Sequence, residues 1–220
     1  YETPMAVVAT EMGRHDMATC RFNCGERFAP SETGVVSRAG PVIHQEPAFT
    51  VSAALLDHDI SCAAYAVDER FSVNIRKEKL AEMGLTPGPW LHAFKQALYN
   101  RQDENAFIDI PPDKGGGRRR FRVGELAVEL AIITAGKRIA YISDAAFTDV
   151  NIERMVDLAE GADHLFIEAA FLDRDWKIAA RKKHLTARQA GWVAAKAGVK
   201  RFSLFHFSPR YTHERDRFSK

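Results

Sequence analysis

Between Lys137 and Tyr211 short apolar runs alternate with helical stretches, and this alternation constrains the fold more than any other feature of the chain. Ile139 to Ser143, His164 to Ile167 and Phe202 to Phe205 have the length and unbroken apolarity of buried strands. Val150 to Glu160 sets Ile152, Met155, Val156 and Ala159 on one helical face and stops at Gly161. Arg174 to Arg181 reads as a second helix. Thr186 to Ala197 reads as a third, opened by the capping-box pair Thr186 and Gln189 and closed by Gly198. Thr212 to Phe218 reads as a short terminal helix. Strands alternating with helices in this way predict a layered α/β domain.

The first half of the chain is richer in strands. Met5 to Thr10 is continuous and β-rich, which predicts an interior strand with Met17 to Phe22 as its partner. Glu26 to Pro47 carries Pro30, Gly34, Gly40, Pro41 and Pro47 and reads mostly as loop and turn. Phe49 to Leu56, Cys62 to Val67 and Phe71 to Ile75 read as strands. Lys77 to Met83 is a short helix ended by Gly84. Trp90 to Leu98 is another, entered through Gly88 and Pro89. Asn100 to Gly124 is polar and reads as a long exposed arm holding Lys114, Arg118, Arg119 and Arg120.

Four of the strands end on a side chain able to bind a metal or carry a proton: His58, Asp144, Glu168 and His206. His184 stands just before the Thr186 helix. Each has a plainer explanation: a helix cap for the two carboxylates, a surface turn for His58, a solvated face for His184 and a packed core position for His206. Their shared position argues for a site, because active sites of layered α/β proteins collect where strands end. A set of His and Asp suits zinc or a similar divalent ion. Arg210 adds a fixed positive charge beside His206. His44, His92, His164 and His213 lack such context and read as structural.

Six segments occur in one order: Leu56-Asp57-His58 with Ala64-Tyr65, Gly88-Pro89-Trp90, Ser143-Asp144, Glu168-Ala169-Ala170-Phe171, His184 to Gln189, and His206 to Tyr211. Together they resemble the second half of ribonuclease Z, the tRNA 3′-end endonuclease of the metallo-β-lactamase superfamily, over roughly residues 49 to 215. The resemblance implies a single αββα metallo-β-lactamase-like domain, present in part, with an inserted arm around 84–120. It implies two zinc ions in the complete site, with Mn or Mg as alternatives. His58 and His206 would each ligate one ion and Asp144 would bridge both. Glu168 and His184 would orient and protonate the leaving group. Gly88, Pro89, Lys114, Arg118, Arg119, Arg120 and Arg210 would face the substrate, a tRNA precursor or another phosphodiester. The ions would activate water and steady the attacking and leaving oxygens.

The family's His-x-His-x-Asp-His signature is nowhere among the eight histidines. Three explanations stand. The residues are the later part of a longer enzyme, which fits the first residue Tyr1 and the early strand; a partner chain supplies the rest; or the chain is a non-catalytic binder of RNA or protein. The first is the expectation carried forward, with a hydrolase of another substrate as the nearest alternative. This chain alone would then be a poor catalyst.

Composition narrows the setting. Hydrophobic residues at 46% and charged residues at 27% of 220 describe an ordinary globular chain, and a net charge of +2 does not by itself call for nucleic acid. Three cysteines, Cys20, Cys24 and Cys62, form no framework and predict a reducing, cytoplasmic setting. No apolar run is long enough to span a membrane. A homodimer is expected.

Overall fold

A computed structural model describes residues 5–111 and 117–219. Its centre is a six-stranded mixed sheet in the order β13-β12-β11-β6-β5-β4. These strands are β4 (Val42–Gln45), β5 (Phe49–His58), β6 (Ile60–Glu69), β11 (Arg138–Ile142), β12 (His164–Glu168) and β13 (Phe202–Phe205). β5 and β6 form a long antiparallel hairpin with His58 opposite Ile60 at its tip. β11, β12 and β13 run parallel, as their helical crossovers require.

Helices α4 (Asp149–Ala159), α5 (Trp176–Lys182) and α6 (Ala187–Lys196) fill those crossovers. Thr148 caps α4 by accepting from the Asn151 N–H, and Thr186 with Gln189 makes the expected capping box of α6. The helices close over one face of the sheet, where Leu56, Ala64, Ala66, Ala140, Ile142, Leu165 and Ile167 are buried with Met155, Val193 and Tyr211. The small residues of β6 and β11 let α4 lie close against the strands.

The opposite face is bare. Tyr65 and Tyr141 are paired across β6 and β11, as are Val67 and Ile139, and all four are exposed. Tyr141 stacks on Phe205 along the same face. A sheet with one face packed and the other apolar yet open to solvent is a surface built to be covered.

A second core lies between β6 and β11. β7 (Phe71–Ile75) pairs antiparallel with β10 (Ala131–Ala135). Around them pack α1 (Lys77–Glu82), α2 (Trp90–Tyr99), α3 (Val123–Leu130) and the hairpin of β8 (Phe107–Ile110) with β9 (Arg119–Arg122). Val73, Leu80, Leu85, Trp90, Phe94, Ile108, Val123, Leu126 and Leu130 are buried there together. The expected long arm over Asn100 to Gly124 is thus a hairpin and a helix start held on an apolar core. Ile108 and Ile110 alternate inward against Phe107 and Asp109, a strand signal that the surrounding polar residues mask. Gly136 returns the chain to the sheet so close to the Glu69 carbonyl that no side chain fits there.

Near the start, β1 (Ala6–Met12), β2 (Asp16–Asn23) and β3 (Pro30–Ser37) form a separate three-stranded antiparallel sheet. The pairing of β1 with β2 is as expected. The interior position is not, because Val7 and Val8 are both exposed. Nor is Glu26 to Pro47 mostly loop, since β3 and β4 occupy much of it and backbone pairing overrides its prolines and glycines. The terminal helix shrinks to a 3-10 turn, Arg215–Ser219. Among the described residues no helix is long and apolar enough to cross a membrane, and all three cysteines are free.

Candidate metal centre

Five side chains meet at one end of the sheet, each delivered by a different connection. His58 comes from the tip of the β5–β6 hairpin, Asp144 from the loop after β11 and Glu168 from the end of β12. His184 comes from the link between α5 and α6, and His206 from the loop after β13. Asp144 and His206 both sit in the left-handed backbone region, with φ of 52° and 62°. Such φ values are uncommon outside glycine and cluster at functional sites.

Glu168 organises the group. Its carboxylate is fully buried and accepts from the Ala145 N–H at 3.0 Å, the Leu185 N–H at 3.3 Å, His184 Nδ1 at 2.8 Å and His206 Nδ1 at 3.0 Å. Burial pushes its pKa up, but the hydrogen bonds from His184 and Ala145 and the charge of the two imidazoles outweigh burial and hold it below the ordinary carboxylate range. The same hydrogen bond raises His184 above the usual imidazole value against partial burial.

His58 Nδ1 donates to the Lys183 carbonyl at 2.8 Å. A carbonyl or carboxylate oxygen only accepts, so all three imidazoles carry their proton on Nδ1. In the neutral ring each Nε2 then has a lone pair, and among the described residues none of the three Nε2 atoms has a hydrogen-bond partner. Asp144 Oδ1 lies 4.0 Å from His58 Nε2, 4.0 Å from His184 Nδ1 and 3.7 Å from His206 Nδ1. These separations exceed hydrogen bonds. One ligand atom from each of Asp144, Glu168, His184 and His206 falls within 4.8 Å of the others. Imidazoles anchored at one nitrogen and bare at the other, beside a carboxylate, form a donor set fit for a divalent ion.

Two residues that sequence reading passed over build this end of the sheet. Asn151, fully buried on α4, accepts from the Asp57 N–H at 3.0 Å and donates to the Asp57 and Ala146 carbonyls, both at 2.9 Å. It thereby joins the strand before His58 to the loop after Asp144. Lys183 holds His58 from the other side. Arg38 and Arg154 donate to the Ala53 and Leu55 carbonyls along the free edge of β5. They line a cleft of about 750 Å³ with Arg14 and Arg138, which Asp57 and Asp59 border.

The expected substrate residues are dispersed. Arg210 stays near the cluster, over the ring of Phe171, which lies beside that of His184. Gly88 and Pro89 lead into α2 in the second core. Arg119 donates to the Met83 carbonyl and Arg120 pairs with Asp109, while Arg118 precedes β9. Among the described residues no hydrogen bond, ion pair or ring contact joins any of them to the five-residue cluster. Lys114 lies outside the described residues.

The family profile described as "Beta-lactamase superfamily domain" matches residues 85–207, more than half of the chain. The chain belongs to the beta-lactamase superfamily. Within that superfamily it is similar to the ribonuclease Z of Deinococcus radiodurans, 33% identical over 194 residues that make up 88% of this chain and 54% of that protein. It is similar also to the ribonuclease Z of Thermobifida fusca, 38% identical over 178 residues, 80% of this chain and 49% of that one. Among solved structures, human tRNase Z, short form, matches 78% of this chain and 41% of its own at 20% identity, with a TM-score of 0.43. The chain spans about half the length of the curated relatives it matches. The α/β class and the likeness to a ribonuclease Z-type member of the superfamily therefore stand as expected.

Proposed function

We propose that this chain is part of a metal-dependent phosphodiesterase of the ribonuclease Z type, which cuts tRNA precursors. One observation carries the reading: His58, His184 and His206 are all anchored through Nδ1 around Asp144, whose Oδ1 lies within 4.0 Å of a ring nitrogen of each. His58, Asp144 and His206 would help hold the two ions of the complete site. The imidazole share of the set favours zinc over Mn or Mg. When bound, the ion would supply Lewis-acid activation of water and of a phosphoryl oxygen.

The remaining work falls to the chain's own side chains. His184, half-buried and held by Glu168, would hold or deliver a proton at Nε2 to a leaving oxygen. Glu168 is sealed from solvent and would act through His184 and His206, as a positioning residue. The arginine-lined cleft beside β5 offers charge for flanking phosphates. Arg118, the least committed of the basic triplet, is the arm residue best placed to meet RNA.

The bare face of the six-stranded sheet and the half-length match to relatives support a fragment reading, in which further chain packs on Tyr65, Val67, Ile139 and Tyr141. The test is zinc content and tRNA-precursor cleavage, compared between this chain and the complete gene product. Two ions and cleavage in the complete protein, both lost in His206→Ala and Asp144→Asn, are expected. Unchanged zinc content in those two variants would overturn the site. Zinc without cleavage of any tRNA precursor would leave a superfamily hydrolase of another substrate.

A further inference from the structure

We infer that Lys183 is a positioning residue that sets the direction of His58, an inference resting on the metal-site reading above. Lys183 closes α5 in the left-handed conformation, with φ 59° and ψ 33°. That turn aims its carbonyl and its ammonium at the same target. The carbonyl accepts from His58 Nδ1 at 2.8 Å, and Nζ lies 3.4 Å from Asp57 Oδ2 and 3.1 Å from Asp59 Oδ1.

One residue therefore grips the hairpin tip at three successive positions, the imidazole in the middle and a carboxylate on each side. The tip itself is drawn tight by the Asp59 N–H, which donates to Asp57 Oδ1 at 3.2 Å, and by a left-handed Asp59 with φ 65°. Without the ammonium, Asp57 and Asp59 would face each other across the tip as like charges. The tip would relax, and the His58 ring would lose its fixed distance to the Lys183 carbonyl.

The clamp has a second effect. His184 follows directly in the chain, and its ring lies 4.5 Å from that of His58. The residue that orients the ligand from β5 thus also fixes where the proton-carrying imidazole begins. Both salt bridges are largely exposed, so they contribute little to global stability. Their effect is local geometry.

The experiment compares the wild-type chain with Lys183→Met, which keeps the carbonyl and the apolar stem but removes the charge. Lys183→Arg serves as the conservative rescue and Lys182→Met as the neighbouring control. Nitrogen-15 imidazole spectra of the metal-free chain read the tautomer of His58, and zinc titration reads affinity. In the wild type His58 should give one Nδ1–H tautomer. Lys183→Met should give mixed tautomers and bind zinc about 10- to 100-fold more weakly, with little change in melting temperature. Lys183→Arg should recover most of both, and Lys182→Met should change neither.

The paired variant Asp57→Asn with Asp59→Asn removes the same bridges from the other side, so its loss should not add to that of Lys183→Met. It also decides the matter if Lys183→Met fails to fold. An unaltered His58 spectrum with zinc affinity within about threefold of wild type would overturn the clamp. A wild-type chain and complete gene product that both fail to bind zinc would instead overturn the metal reading, while the spectra still decide the clamp.

Discussion

Replacing Asn151 by alanine should destabilise this chain measurably, although the residue touches no candidate ligand. Its amide makes three hydrogen bonds in a fully buried position. After Asn151→Ala the Asp57 carbonyl still receives the Ala146 N–H at 3.0 Å. The Ala146 carbonyl likewise keeps the Thr148 N–H at 3.0 Å, so the Asp57 N–H is the group left without its partner. A buried polar group stranded in this way costs about 1–3 kcal/mol. Against a total stability of about 5–15 kcal/mol, that shift is large. Urea unfolding followed by far-UV circular dichroism would measure it as a fall in the midpoint at constant slope. Asn151→Asp separates shape from chemistry, because it keeps the volume but turns an acceptor toward two carbonyls. At neutral pH it should be at least as damaging as alanine. A loss below about 1 kcal/mol for Asn151→Ala would refute the reasoning, since it would mean the stranded Asp57 N–H finds another partner.

Other expectations follow from the same geometry. Met155→Ala, at a fully buried position under the sheet, should cost about 2–5 kcal/mol in the same unfolding assay. His164 is held below its ordinary pKa by desolvation and then by Arg201, so the unfolded chain binds its proton more tightly. Stability should therefore fall as pH drops below about 6.5 and level off below the folded value, and His164→Gln should remove that step. Tyr65→Lys with Tyr141→Lys on the bare face should leave the unfolding midpoint of this chain nearly unchanged and reduce its self-association in light scattering. Arg118→Glu should lower RNA affinity of the complete protein and flatten its salt dependence, whereas Arg120→Ala mainly frees Asp109 and loosens the β8–β9 hairpin.

Much of the site was readable from the chain alone, for a reason visible in its strands. β11, β12 and β13 are short apolar runs, each followed at once by a residue with chemistry to offer, and α4 and α6 carry their caps and closing glycines in sequence. Those signals are local, and so they survive in one dimension. Asn151 and Lys183 were not readable, because their partners lie 94 and 125 residues away and neither is among the apolar residues that mark the helices. The second core was hidden for the same reason. Its frame is the pairing of β7 with β10 across more than fifty residues, and its hairpin shows only two inward isoleucines. The β1–β3 sheet misled in the other direction: valine-rich strands look interior, yet here they lie exposed.

The left-handed turns at Asp144 and His206 carry an evolutionary consequence. Aspartate, asparagine, histidine and glycine are the residue types that enter this backbone region most readily, whereas β-branched ones are driven out of it. The polypeptide path therefore filters which residues drift can install at these two positions, before selection acts on what they bind. Aspartate and histidine are tolerated types whose side chains can also hold a metal, so at these two positions the backbone path and the proposed chemistry ask for the same residues.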